Sequence, residues 1–276
     1  MKKQWKKMRM LLAAAIMVCT MFAGCAQNNR DTSSEIEMGT SDLEYVQSKG
    51  TLVVGITDFA PMDYRDGDEW IGFDADLATF FADRLGVEVE FVEINWDKKT
   101  ELLEKGSIDC IWNGMTGSKE LQETISCSQP YLSNAQVVVQ RSEEMKQYST
   151  EEACQHLLFA VESGSTGEAL LKEKKYRYTT FSTQMEALES VREKKTDAAV
   201  IDRIMAAYYT GDGQEYDDLG FSIALNDETF CVGFRKNSDL TEKVNVFLED
   251  ASQDGTIKAL ADQYGIASAV GDANDK

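Results

Sequence analysis

Proline is scarce in this 276-residue chain, which holds only Pro61 and Pro130. That scarcity excludes proline-rich stalks, and 19 glycines are too few for collagen-like repeats. Histidine is scarcer still, with His156 alone. None of the six cysteines is spaced as Cys-x-x-Cys, so a zinc site lacks ligands and no metal is expected. No Ser-His or Cys-His pair for nucleophilic catalysis is evident, and no cofactor motif is present. Basic residues are outnumbered, 28 against 48 acidic ones, giving a formal net charge of −20. A surface of that sign argues against nucleic acid or anionic membrane as a main partner, because phosphate recognition needs a basic face. Hydrophobic residues make up 43% of the chain, ordinary globular usage and too rich for disorder. The length suits one or two domains with a sizeable core.

The most apolar run, Met10 to Ala23, is too short to cross a membrane comfortably. It follows Lys2, Lys3, Lys6, Lys7 and Arg9 with no acid nearby, the layout of a signal peptide. It ends in Phe22-Ala23-Gly24-Cys25, which resembles the bacterial lipobox, although Phe22 stands where leucine is usual. The resemblance implies a lipoprotein signal over residues 1–24 and a Cys25 diacylated through its sulfur. The polar, acidic stretch over 25–43 then reads as a flexible tether. Export permits disulfides among Cys110, Cys127, Cys154 and Cys231, with three full pairings open. Cys110 and Cys231 lie in apolar strand-like runs, where buried free thiols are expected.

Beyond the tether, strand and helix patterns alternate. Strands are expected at 51–56, 87–91, 108–112, 136–139, 157–161, 178–181, 198–201 and 230–234. Between Met62 and Phe73 a hairpin is expected, with Asp66-Gly67 as its turn. Helices are expected around Leu77–Leu85, from Lys98 to Glu104, from Gly167, from Thr183 with Glu186 completing a capping box, and over 240–248 and 257–264. Such alternation means an α/β fold with mostly parallel sheets, and its restart near residue 136 suggests two similar lobes. Ligands of open α/β sheets sit at the carboxyl ends of the strands. Attention therefore falls on Thr57–Tyr64, Ile94–Asp97, Asn113–Thr116, Glu162–Gly167 and Asp202.

These loops, with Gly72-Phe-Asp-Ala-Asp-Leu77, Ile108–Thr116, Ser128-Gln-Pro-Tyr131, Ser163-Gly-Ser-Thr-Gly167, Asp197–Asp202 and Val232-Gly-Phe-Arg-Lys236, are collinear with a known pattern. From Leu52 to Gly265 the chain resembles the family 3 extracellular solute-binding proteins of amino-acid ABC transporters. The resemblance implies a two-lobed periplasmic-binding-protein-like fold with two hinge strands and a ligand cleft between the lobes. It puts lobe 1 at 44–130 and 231–268, lobe 2 at 136–225, and hinges at Tyr131–Ala135 and Asn226–Phe230; the residues at 269–276 themselves read as a disordered tail. It implies an exported, membrane-anchored monomer that captures an amino acid or amino-acid-like solute and delivers it to an ABC permease, at the outer face of the cytoplasmic membrane or in the periplasm.

By the same resemblance Asp202 answers the ligand ammonium, with a helix N-cap as its alternative role. Asn113, the Gly114 carbonyl and the Thr116 hydroxyl bind the ligand backbone. Ser165 and Thr166 offer N–H groups at a helix start, where they also serve as plain caps. Phe59 and Trp96 take the aromatic positions around the ligand, with core packing as their alternative. The family has Thr-x-Thr/Ser-x-Glu-Arg, whose arginine grips a carboxylate bidentately, whereas this chain reads Thr116-Gly-Ser-Lys-Glu-Leu121. Three readings follow: Lys119 and backbone N–H groups hold the carboxylate, or the ligand has none, or binding is degraded. Other classes fare less well. A dehydratase-like enzyme using Asp74 and Asp76 competes with their value to a helix dipole. A cation site at Asp66–Glu69 lacks EF-hand spacing. A sensor ectodomain would need a separate signalling partner.

Overall fold

The computed structural model describes residues 41–270. The signal at 1–24, Cys25, the tether up to residue 40 and the tail from 271 lie outside the described residues. The first stretch runs α1 (Asp42–Lys49), β1 (Thr51–Ile56), β2 (Tyr64–Asp66), β3 (Glu69–Ile71), α2 (Phe73–Leu85), β4 (Glu88–Glu93), α3 (Lys99–Glu104), β5 (Cys110–Thr116), α4 (Lys119–Thr124), β6 (Ser126–Cys127) and β7 (Leu132–Asn134). Next come β8 (Gln136–Arg141), α5 (Glu151–Cys154), β9 (Leu158–Glu162), α6 (Thr166–Glu173), β10 (Arg177–Phe181), α7 (Gln184–Arg192), β11 (Ala198–Asp202), α8 (Arg203–Tyr209) and β12 (Leu219–Ala224). The chain closes with β13 (Glu228–Phe234), α9 (Leu240–Gln253) and α10 (Thr256–Gln263).

Two main sheets result. The first has the order β4-β1-β5-β13-β6, with β7 also paired to β13, and the second has the order β10-β9-β11-β8-β12. In the first sheet β1 is parallel to β4 and β5, while β13 is antiparallel to β5, β6 and β7. In the second, β9 is parallel to β10 and β11, and β8 is antiparallel to β11 and β12. The chain passes from one sheet to the other between Asn134 and Gln136 and returns between Ala224 and Glu228. Two adjacent segments thus join the sheets, because β7 pairs with the start of β13 in the register Asn134 to Glu228.

The β1 run Leu-Val-Val-Gly-Ile is largely buried, as a central parallel strand requires. Helix α2 starts beside acids, Asp74 and Asp76, and stops at Gly86 in the left-handed region. Its buried Phe81 meets Trp112 of β5 at 5.9 Å and Phe247 of α9 at 5.5 Å. Rings buried this way contribute about 2–3 kcal/mol each through area alone. The second sheet packs Val138, Phe159, Val161 and Val200 against Leu171 of α6.

Four of the stated expectations are corrected by the described residues. Asp42 and Leu43 belong to α1 rather than to a tether. Ser41 caps that helix, Gly50 ends it, and Arg235 bonds Asp42 at 3.0 Å. Ala269 is not a disordered tail residue but lies buried in a 3-10 turn, with Val270 against the core. The hairpin turn is Gly67-Asp68, since Asp66 pairs with Glu69, and within it only Gly67 takes a positive φ. Strand β5 runs on to Thr116, which carries Asn113 and Gly114 on a strand rather than on a loop. Cys110, Cys127, Cys154 and Cys231 are all free. Among the described residues no helix is long and apolar enough to cross a membrane.

Candidate functional site

A cavity of about 250 Å³ opens at the carboxyl ends of β1, β5, β9 and β11. Residues from both sheets line it, and all eight residues singled out for ligand binding are among them: Phe59, Trp96, Asn113, Gly114, Thr116, Ser165, Thr166 and Asp202. Lys99, Leu121, Gln136, Glu162 and Gln184 line it too, and none of these was on the list of binding residues.

The floor of the cavity is the Asn113-Gly114 segment of β5. Asn113 lines the cavity, but its amide turns inward. Nδ2 donates to the Thr57 carbonyl at 3.1 Å and to Asp63 at 2.7 Å, and Oδ1 accepts from the Thr57 hydroxyl at 2.7 Å. The side chain is therefore committed to the lobe's interior. Gly114 donates its N–H to Asp74 at 2.7 Å, and the Tyr131 hydroxyl donates to the same oxygen at 2.8 Å. Burial lifts the Asp74 carboxyl to about 7 and, with Asp74 beside it, raises Asp63 well above the usual carboxylate range. Gly114 has φ +55°, and a Cβ there would stand 2.3 Å from the Phe59 ring. Phe59 is held in turn by an edge-on contact with Phe230 at 6.3 Å.

Asp202 occupies the N-cap position of α8, yet its side chain makes no cap bond. Its carboxylate accepts from Asn134 at 2.5 Å, from Gln136 at 2.9 Å and from Gln184 at 2.6 Å. Asn134 and Gln136 also donate to Glu228, at 2.6 and 2.9 Å. Two amides thus bridge two carboxylates where the chain crosses between sheets. Burial and then Glu228 push the Asp202 carboxyl well up. Ser165 does cap a helix, since its hydroxyl accepts the Glu168 N–H at 3.2 Å, while Glu168 accepts the Gly164 N–H at 2.8 Å.

The two sides of the cleft touch. The Lys99 ammonium donates to the Gly164 carbonyl at 2.9 Å and to the Trp96 carbonyl at 3.2 Å, and it lies 4.6 Å from the Trp96 ring centre. Gly164 comes so near that a Cβ would stand 2.9 Å from Asp97 Cα. On another edge Tyr64 meets Tyr208 with ring centres 6.3 Å apart. Burial lowers Lys99 to about 8 and raises the facing Glu162 to about 8. Leu121 lines the cavity from the first turn of α4, whereas Lys119 is exposed and does not line it. This arrangement does not suit the reading in which Lys119 holds a carboxylate. Asp58 and Asp76 do not line the cavity, and Asp76 instead accepts from the Tyr264 hydroxyl at 2.7 Å.

The model of the bacterial extracellular solute-binding proteins, family 3, matches residues 52–267. The chain belongs to that family. It is 27% identical over 269 residues to the arginine-binding extracellular protein ArtP of Bacillus subtilis, covering 94% of this chain and 98% of that one. An amino acid ABC transporter substrate-binding protein from Streptococcus pneumoniae, bound to L-arginine, superposes with a TM-score of 0.76 at 25% identity, covering 83% of this chain and 99% of the other. An ancestral amino acid-binding protein, a precursor of cyclohexadienyl dehydratase, gives a TM-score of 0.74 at 30% identity, covering 82% and 99%. This solute-binding protein therefore shares its two-lobed α/β architecture with amino-acid-binding structures. Lys99 carried no sequence signal, because a helix lysine is usually solvated. A lone acid ending a buried strand, Phe-Ala-Val-Glu162, was the signal that could have flagged Glu162.

Proposed function

We propose that this chain is the substrate-binding component of an ABC importer, and that it captures an amino acid or amino-acid-like solute between its lobes for delivery to a membrane permease. One observation carries this reading: a cavity shared by two sheets, closed over by Lys99 on Gly164, with Asp202 buried at the strand crossover. The crossover segments at 131–135 and 226–230 serve as hinges, which suits a receptor whose closed shape reports occupancy. Lobe 1 is then 42–130 with 231–270, and lobe 2 is 136–225. Asp202 meets the ligand ammonium, Phe59 and Trp96 flank its stem, and Gly114, Thr116, Ser165 and Thr166 supply the remaining polar contacts. Asn113 acts through its backbone, its amide being spent on Thr57 and Asp63. Binding proceeds without turnover, and recovery of unchanged ligand checks this. The protein works as an exported monomer held to the membrane by a lipid on Cys25.

A thermal-shift screen against the standard amino acids, cystine and ornithine tests the receptor reading. A true ligand at a hundredfold excess over its Kd adds about 2.7 kcal/mol of stability, a clear rise in Tm. Absence of a shift with every one of these compounds and with polyamines would overturn the reading. The anchor is tested separately, because Cys25→Ala should move the protein from the membrane fraction to the soluble one.

A further inference from the structure

The charge balance of the cavity bears on what can fill it. Its lining holds three acids, Glu120, Glu162 and Asp202, against one base, Lys99. Glu162 and Asp202 are buried, with relative exposures of 5% and 6%. Glu228 stands directly behind Asp202 and shares its Asn134 and Gln136 donors. The lone base is already engaged, its ammonium on two backbone carbonyls and over the Trp96 ring. Among the described residues no arginine lines the cavity, and the first turn of α4 offers it the aliphatic Leu121. Just ahead of α6 the Gly164 N–H already donates to the carboxylate of Glu168.

A ligand carboxylate in this space would lie among buried acids with no free cation to answer it, and an unpaired charge is costly to desolvate. A ligand ammonium meets the opposite situation. Gln184 donates to Asp202 at 2.6 Å and lines the cavity together with Glu162. Both acids line the one cavity that such a group would enter. The apolar faces of Phe59, Trp96 and Leu121 complete the lining for a hydrocarbon stem.

We propose that the preferred ligand is an organic amine lacking a carboxylate, its ammonium held between Glu162 and Asp202 and its stem lying along Phe59, Trp96 and Leu121. This rests on the reading of the cavity as the solute site and narrows the amino-acid-like class to its decarboxylated members.

Isothermal titration of ligand-stripped protein with matched pairs tests it: agmatine with L-arginine, cadaverine with L-lysine, putrescine with L-ornithine, histamine with L-histidine, and cystamine with L-cystine. The expected result is at least one amine that binds tenfold or more tightly than its amino acid. Glu162→Gln, nearly isosteric, should then lower that amine's affinity about tenfold while its own Tm without ligand stays near or above the parent's. Retention of full amine affinity by the folded variant overturns the role given to Glu162. An amino acid that binds as tightly as its amine overturns the proposal and leaves the receptor reading intact. Binding of some other α-amino acid, with no amine active, does the same. Silence from every pair and every standard amino acid overturns both.

Discussion

Gly114→Ala tests the architecture of the cavity floor. The perturbation is one methyl group at a residue with φ +55°. Alanine in the left-handed region costs about 1–2 kcal/mol relative to glycine. The new Cβ would also stand 2.3 Å from Phe59 Cε1 and 3.2 Å from Phe230 Cε2. Normal carbon contacts need roughly 3.5 Å, so the Phe59 ring must move by more than an ångström. It has little room, being 3% exposed and edge-on to Phe230. Overpacking of this kind costs about 1–3 kcal/mol. The sum is about 2–5 kcal/mol, or roughly a 10 °C fall in Tm for a chain of this size. Thermal unfolding followed by circular dichroism reads it directly. Phe59→Leu in the alanine background should recover the overpacking share and leave the backbone share, a coupling that a double-mutant cycle isolates. A Gly114→Ala protein within 2 °C of the parent would refute the geometry of the floor.

Arg235→Ala should cost about 1–3 kcal/mol in urea unfolding, because it removes the bonds to Asp42 and to the Ile108 carbonyl while Asp109 keeps Lys49 at 2.5 Å; a loss below about 0.5 kcal/mol would contradict the network. Lys99→Met removes the donor to the Gly164 carbonyl, so ligand affinity should fall ten- to a hundredfold and small-angle scattering should show a larger ligand-free radius of gyration. Stability without ligand should fall as pH rises from about 5 to 8. Glu162 and Asp74, held at about 8 and about 7 in the folded protein, keep protons there that the unfolded chain has released. Their contribution is complete below the unfolded values near 4.5 and 3.8 and is lost as pH climbs through the folded ones. Lys99 acts only above about 8 and Glu151 only below its ordinary 4.5, so neither masks the window, and a urea midpoint that rises across it would refute the assignment.

Much of the fold was legible because its strands are continuous apolar runs and its helices repeat at 3.6 residues. The misses have physical causes. Strand β12 carries Gly220 and Ser222 and a register shift between Phe221 and Ile223, which break the alternation that identifies a strand. Helix α1 hid in a polar segment, although Ser41 and Gly50 were readable caps. The site residues were legible as a set because strand ends are where loops converge, but their roles were not. Whether Asn113 points its amide into the cavity or away depends on Thr57 and Asp63, each some 50 residues distant in sequence. Lys99 and Glu162 face one another only because two lobes meet, a relation that no local pattern encodes.

Asp202 and Glu228 show how that meeting ties the cavity to the crossover. Asp202 ends β11, Glu228 begins β13, Asn134 ends β7 and Gln136 begins β8. Each amide nitrogen has two protons, so Asn134 and Gln136 can each give one to either carboxylate. The hydrogen bonds satisfy the oxygens but do not cancel the charge, and burial therefore raises the Asp202 carboxyl. A cation arriving beside Asp202 supplies what the amides cannot, and it acts on a group bonded to the residues through which the chain changes sheets. The carboxylate proposed to meet a positive ligand is thus bonded to the segments through which the chain crosses between sheets, so a cation placed beside it would act on that joint.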